Sequence, residues 1–151
     1  MTELIDNEYY MSLALAEARL AGKRGEVPVG AVLVRRGEII AACGNTREEE
    51  HDPLGHAEIN VIRAGCRVLG DWRLSDCTLY VTLEPCSMCA GAILNARVAK
   101  VVYGAADPVA GVLGSRLHLF DLDLGFRPLV SAGVMAEECS ALLRSFFSEK
   151  R

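Results

Sequence analysis

Residues 77–105 read CTLYVTLEPCSMCAGAILNARVAKVVYGA, and the order of residue types along this stretch fixes the kind of fold to expect. Cys77–Leu83 is a short run of β-formers, "AKVVYGA" (99–105) is a second, and small apolar helix-formers fill the space between them. Strand, helix and strand in so short a span make a βαβ unit, which implies a parallel strand pair with a right-handed crossover. Pro85 suits a helix entry and restricts Glu84 to an extended backbone, so the chain is held open just before Cys86 and Cys89.

Working outward, "EYYMSLALAEARLAGKRG" predicts a helix from a cap at Asp6 to about Gly25, because it ends in basic residues and then glycine. "VGAVLV" (29–34) reads as a buried strand and "RRGEIIAAC" turns at Gly37 into a second, giving a hairpin. The polar "GNTREEEHDPLG" (44–55) is a loop, and "HAEINVIRAGCRVLG" (56–70) places Ile59, Ile62 and Val68 at helical spacing with Gly70 near its end. After the βαβ unit come a Gly- and Ala-rich loop, "ADPVAGVLGS" (106–115), a weak strand near "FRPLVSAG", and a helix from about Met135 to Phe147. The expected fold is α/β: a three-layer α/β/α sandwich with a mixed central sheet of about five strands, as one domain over 1–151.

Composition narrows the class. The chain of 151 residues is 51% hydrophobic and 24% charged, the profile of a packed globular protein rather than a disordered one. The N-terminus carries no basic and apolar signal pattern and no run is long enough to span a bilayer, so a cytoplasmic location and no membrane partner are expected. In that compartment thiols stay reduced, and Cys43, Cys66, Cys77 and Cys139 read as small core residues rather than as a disulfide framework. A formal net charge of -4 argues against a large basic surface, though not against a local basic patch.

Cys86 and Cys89 form a Cys-x-x-Cys pair, which can be a redox dithiol, half of a structural zinc site or part of a catalytic one. A thioredoxin-like pair follows the first strand of its fold, whereas this one follows a third. A structural zinc site is closed by four protein ligands, and there is no second Cys-x-x-Cys. His56 opens the preceding helix, and in such a unit both helix N-termini face one end of the sheet, where His56, Cys86 and Cys89 can converge. Three protein ligands leave the fourth position of a tetrahedral Zn2+ for water, the pattern of a catalytic site with one zinc per subunit. His51 is the rival fourth ligand that would close the site, but it stands among Glu48, Glu49, Glu50 and Asp52, which suits a solvated role.

Glu58, two residues after His56, supplies the chemistry that such a centre needs. A carboxylate beside the metal but not bound to it can take a proton from water, pass it to a ring nitrogen, and then protonate the departing amino group. The expected reaction is hydrolytic deamination of a nucleobase.

"HAE" with "EPCSMCAGAIL" resembles the zinc-dependent cytidine deaminase superfamily. The text around it, "EVPVGAVLV", Asn45, "HDP", "LYVTLEPC", "VVYGA", Asp107, Gly114-Ser115 and "ECSALLRSFF", is similar to the bacterial tRNA adenosine deaminases over nearly the whole chain. The resemblance implies a homodimer acting on the wobble adenosine of a tRNA anticodon. It also implies His56, Cys86 and Cys89 as metal ligands, Glu58 as proton shuttle, and Asn45 as a polar contact to the nucleoside. Val27 and the Ala57 backbone would then line the pocket, with Asp107 beside the flipped nucleotide.

The sequence departs from that pattern at Ala106 and Val109, where a cation is usual, at Gly125-Phe126 in place of Asn-His, and at Gly55 before His56. Each lost cation removes a phosphate contact. The alternatives to a tRNA deaminase are a deaminase of a free nucleobase or nucleoside, and a zinc-stabilised RNA-binding or partner subunit without catalysis. Glu58 counts against the last, since a non-catalytic subunit needs no shuttle.

Overall fold

The computed structural model describes residues 2–150; Met1 and Arg151, the ends of the expected 1–151 domain, lie outside them. Its elements in chain order are α1 (Thr2–Lys23), β1 (Gly30–Arg35), β2 (Glu38–Gly44), α2 (Arg47–Glu50), α3 (Ala57–Leu69), β3 (Cys77–Leu83), α4 (Ser87–Asn95), β4 (Lys100–Ala105), β5 (Leu129–Ser131) and α5 (Ala136–Glu149). The strands form one mixed sheet in the order β2-β1-β3-β4-β5. β1 runs antiparallel to both β2 and β3, while β3, β4 and β5 are parallel. The α/β/α architecture expected from residues 77–105 is the one observed.

Alternation along the strands divides the core between two faces. Ala31, Leu33, Leu79, Val81, Val101 and Tyr103 point to the side covered by α3 and α4, where Val61, Ile62, Ala90 and Ile93 meet them. Val32, Val34, Tyr80 and Val102 point the other way, against Met11, Ala14 and Leu15 of α1 and Cys139 of α5. The β1–β2 hairpin closes through Arg36 (φ 50) and Gly37 (φ 79). Two successive positive φ values give the type I′ geometry that matches strand twist.

Two boundaries differ from expectation. α1 begins at Thr2, so Asp6 sits inside the helix instead of capping it. The added turn carries Glu3, favourable at a helix N-terminus and paired with Lys100 at 2.9 Å. The 44–55 loop contains α2, a four-residue helix whose order comes from outside the segment: the buried Glu26 carboxylate accepts the Glu48 and Glu49 amides at 3.0 and 2.8 Å. Cys77 and Cys139 are core residues as expected, but Cys43 and Cys66 are only half-buried.

α1 lies close on the sheet because the residues between them are small. Ala14, Ala18 and Ala21 face Gly30 and Gly44, and a Cβ on Gly30 would collide with the Ala14 carbonyl and the Ala18 amide. Backbone atoms cannot rotate aside, so Gly30→Ala is expected to cost about 3 kcal/mol, the upper end for overpacking. Urea unfolding checks this: a midpoint unchanged from wild type would mean that α1 is free to shift.

Candidate metal centre and catalytic pocket

α3 and α4 start at the same end of the sheet, beyond the C-terminus of β3. α3 leads into β3 and α4 leaves it, so their N-termini meet there. His56 is the extended residue immediately before α3 and Cys86 the extended residue immediately before α4. Cys89, in the first turn of α4, is fully buried.

His56 Nδ1 lies 3.7 Å from Cys86 Sγ and 3.5 Å from Cys89 Sγ. A tetrahedral zinc with ordinary Zn–S and Zn–N bond lengths requires an N···S edge of about 3.6 Å. The three ligand atoms all lie within 4.8 Å of one another, and theirs is the one such cluster of His, Cys, Asp or Glu among the described residues. The donor set, one imidazole and two thiols with no fourth protein ligand, fits a catalytic zinc and leaves one position open. His51 stays out of it: it is exposed, in left-handed conformation (φ 51) at the end of α2.

The electrostatics favour thiolate at Cys86. Hydrogen bonds from Cys89 and then His56 hold the Cys86 thiol down to about 3, against the desolvation that opposes them. Cys89 moves up, because it supplies the proton in its hydrogen bond with Cys86 and is itself buried. Metal binding displaces these shared protons, as it must for cysteine ligands.

Glu58 is 4% exposed, and desolvation drives its carboxyl up to about 7. A carboxyl poised there can both accept and return a proton near neutral pH.

These groups open into a cavity of about 270 Å³. Val27, Val29, Asn45 and Leu83 line it together with His56, Glu58 and Cys86, and Arg47 and Glu48 of α2 stand at its wall. Asn45 is 7% exposed and bridges two segments: its Nδ2 donates to the Val27 carbonyl at 3.1 Å and its Oδ1 accepts the Ala57 amide at 2.8 Å. Ala57 is buried with its N–H spent on that bond and does not line the cavity. Asp107 lines it, and its Oδ1 accepts the Val109 and Ala110 amides, which shapes the turn that follows.

Gly55 has a local reason. The Thr46 amide donates to its carbonyl at 2.8 Å, and a Cβ there would press on the backbone of Thr46 and Arg47.

Sequence reasoning did not single out Arg47, Glu48, Glu84 or Ala110 as pocket residues. Glu84 carried one local cue, its place directly before the Pro-Cys-x-x-Cys run, but the loop donors that bury it lie more than twenty residues away. Arg47 and Glu48 depend on α2, which the polar composition of 44–55 concealed.

Residues 4–105 match the family model described as the cytidine and deoxycytidylate deaminase zinc-binding region. The chain is 49% identical over 149 residues to a tRNA-specific adenosine deaminase of Bacillus subtilis, covering 98% of this chain and 92% of that one. It is 48% identical over 149 residues to a tRNA-specific adenosine deaminase of Agrobacterium fabrum, covering 98% of each. A solved structure from work on A-to-I editing by tRNA:A34 deaminases at the wobble position superposes with a TM-score of 0.86 at 47% identity, over 89% of this chain and 98% of that one. Guanine deaminase from Nitrosomonas europaea shares the fold at a TM-score of 0.77 and 26% identity, over 93% of this chain and 84% of that one.

Purified protein is expected to carry one zinc per chain by elemental analysis, and His56→Ala, Cys86→Ala and Cys89→Ala to retain less than a tenth of it. Full zinc in the two cysteine variants would place the metal elsewhere.

Proposed function

This chain belongs to the cytidine and deoxycytidylate deaminase zinc-binding family, and from that premise we infer that it is a tRNA-specific adenosine deaminase, a zinc-dependent hydrolase that converts the wobble adenosine of a tRNA anticodon to inosine. The observation that carries this reading is near full-length identity of 49% and 48% to two enzymes of that activity, joined to a His-Cys-Cys cluster with a buried glutamate beside it.

His56, Cys86 and Cys89 hold the zinc. When bound, zinc acts as a Lewis acid that makes hydroxide available from water at neutral pH. Glu58 performs the proton transfers. It takes a proton from the water as the new C–O bond forms at C6 of adenine, and delivers it to N1. It then takes the second proton from the C6 hydroxyl and passes it to the amino nitrogen, so that the C6 carbonyl forms as the C–N bond breaks and ammonia leaves. Adenosine plus water gives inosine plus ammonia, with no oxidant or second substrate.

Val27, Val29 and Leu83 give the ring an apolar surround, which excludes bulk water and strengthens the electrostatics around Glu58. Asn45 keeps one N–H and an oxygen lone pair beyond its two internal bonds, and these are its means of contacting the nucleoside. Asp107 lines the same cavity. The cavity takes one extruded base, and extrusion costs least where the base is already unpaired, as in an anticodon loop.

The enzyme works as a homodimer in this reading. The outer side of α4 supports it: Gly91 there is half-exposed with nothing within 4 Å of where a side chain would begin, so another chain can approach closely. No helix among the described residues is long and apolar enough to cross a membrane, and the enzyme's place is the cytoplasm, with its tRNA. Light scattering at micromolar concentration should give the mass of two chains, and a one-chain mass would remove the dimer from the reading.

The deciding assay incubates the protein with an RNA anticodon stem-loop bearing adenosine at the wobble position, with free adenosine and guanine in parallel. Inosine is expected from the stem-loop. Glu58→Gln should lower kcat by about 10²–10⁴-fold with zinc retained, because the variant keeps the ligands and loses the shuttle. Zinc-loaded wild type that deaminates a free base but not the stem-loop would overturn the assignment of substrate.

A further inference from the structure

Glu84 is 2% exposed, yet no Lys or Arg among the described residues forms an ion pair with it. Its charge is met by hydrogen-bond donors that all come from one loop. Oε1 accepts the Asp107 amide at 3.0 Å and the Ser115 hydroxyl at 2.5 Å; Oε2 accepts the Leu113 and Ser115 amides at 3.0 Å each. The neighbouring backbone extends the clasp, with the Glu84 amide donating to the Ala105 carbonyl and the Val112 amide to the Pro85 carbonyl. Gly111 completes the fit, because a Cβ there would run into the Glu84 carboxylate.

The loop so held is 107–115, and it forms a wall of the catalytic cavity through Asp107 and Ala110. The strand end that holds it is the one that continues through Pro85 into Cys86. We propose that Glu84 is a positioning residue for the deamination: its carboxylate anchors the 107–115 loop to the metal-ligand segment and so fixes the wall against which the substrate nucleotide docks. This role rests on the deaminase reading above for its substrate, but the clasp itself does not.

A glutamine cannot replace this carboxylate. Each oxygen of Glu84 faces at least one backbone N–H, so an amide NH₂ placed on either side would point donor at donor. The Ser115 hydroxyl can rotate to accept, but the Asp107, Leu113 and Ser115 amides cannot. Aspartate keeps both oxygens but is one methylene too short to reach all four donors.

The test compares wild type with Glu84→Gln, Gly111→Ala and Ser115→Ala. It measures zinc content, KM and kcat on the anticodon stem-loop, and amide hydrogen exchange over 107–115. Glu84→Gln and Gly111→Ala are expected to keep one zinc per chain and kcat within about threefold, to raise KM tenfold or more, and to speed exchange in 107–115 by at least tenfold while α3 and β3 stay protected. Ser115→Ala, which removes a single donor, should fall between them and wild type.

Unchanged exchange and KM in both Glu84→Gln and Gly111→Ala would overturn the proposal, and so would loss of zinc with a matching fall in kcat, which would make Glu84 a support of the ligands and not of the wall. If Glu84→Gln does not fold, Gly111→Ala and Ser115→Ala decide the question on the same readings. If the wild type makes no inosine, the deaminase reading fails by itself, and the exchange measurement still decides whether Glu84 holds the loop.

Discussion

Everything at the site follows from the requirement that two helices begin at the same point. The parallel β3–β4 pair forces the chain to leave β3 at its C-terminal end, cross over through α4, and return. α3 enters β3 from the opposite direction, so its first residue arrives at that same end. His56 and Cys86, each the last extended residue before its helix, are placed together by chain direction and not by any attraction between them. The helix-entry position also lets Cys86 and Cys89 share one turn, which sets their sulfurs close enough for a single tetrahedral ion.

Two buried glutamates at this end of the sheet show how surroundings decide what a carboxyl does. Glu58 and Glu84 are 4% and 2% exposed, so burial pushes both toward the neutral form. Glu84 moves the other way on balance: desolvation is outweighed by the Ser115 hydroxyl and three loop amides, which hold its carboxyl below the usual carboxylate range. Glu58 lacks such a cradle, and its pKa rises to about 7. One side chain is therefore a fixed anion that ties down a loop, while the other is ready to take up and release a proton. Glu26 also ties down a segment distant in sequence, since its two oxygens accept the Glu48 and Glu49 amides of α2.

What was legible in the sequence was what short-range pattern encodes. The strand, helix and strand of 77–105 could be read because β-formers, a helix-entry proline and a small-residue run succeed one another without interruption. The ligand set was legible because its members are chemically unusual and occupy helix starts. What stayed hidden depends on residues far apart in sequence. Glu26 stabilises a helix more than twenty residues away, and without that contact "NTREEEHDP" is only a polar loop. The Glu84 clasp reaches from β3 to Ser115 across α4 and β4. α1 extends back to Thr2 where Asp6 offered a plausible cap, and its first turn pairs Glu3 with Lys100, a partner ninety-seven residues away that no local pattern announces.

The departures from the deaminase pattern take on a structural meaning in this light. Gly55 admits the backbone of Thr46 and Arg47 beside the residue that precedes His56, and this close approach sets an arginine at the cavity wall. Arg24, which reaches the Asn45 carbonyl, is paired with Glu49. A chain with a formal charge of -4 and with Ala106 and Val109 in the loop beside the cavity has little long-range attraction for a polyanion to draw on. Recognition then has to come from the shape of the cavity and from the few polar atoms around it, and a wall can select by shape only if it is rigid. The carboxylate of Glu84, with no counter-cation among the described residues and four donors from one loop, supplies that rigidity where the substrate enters.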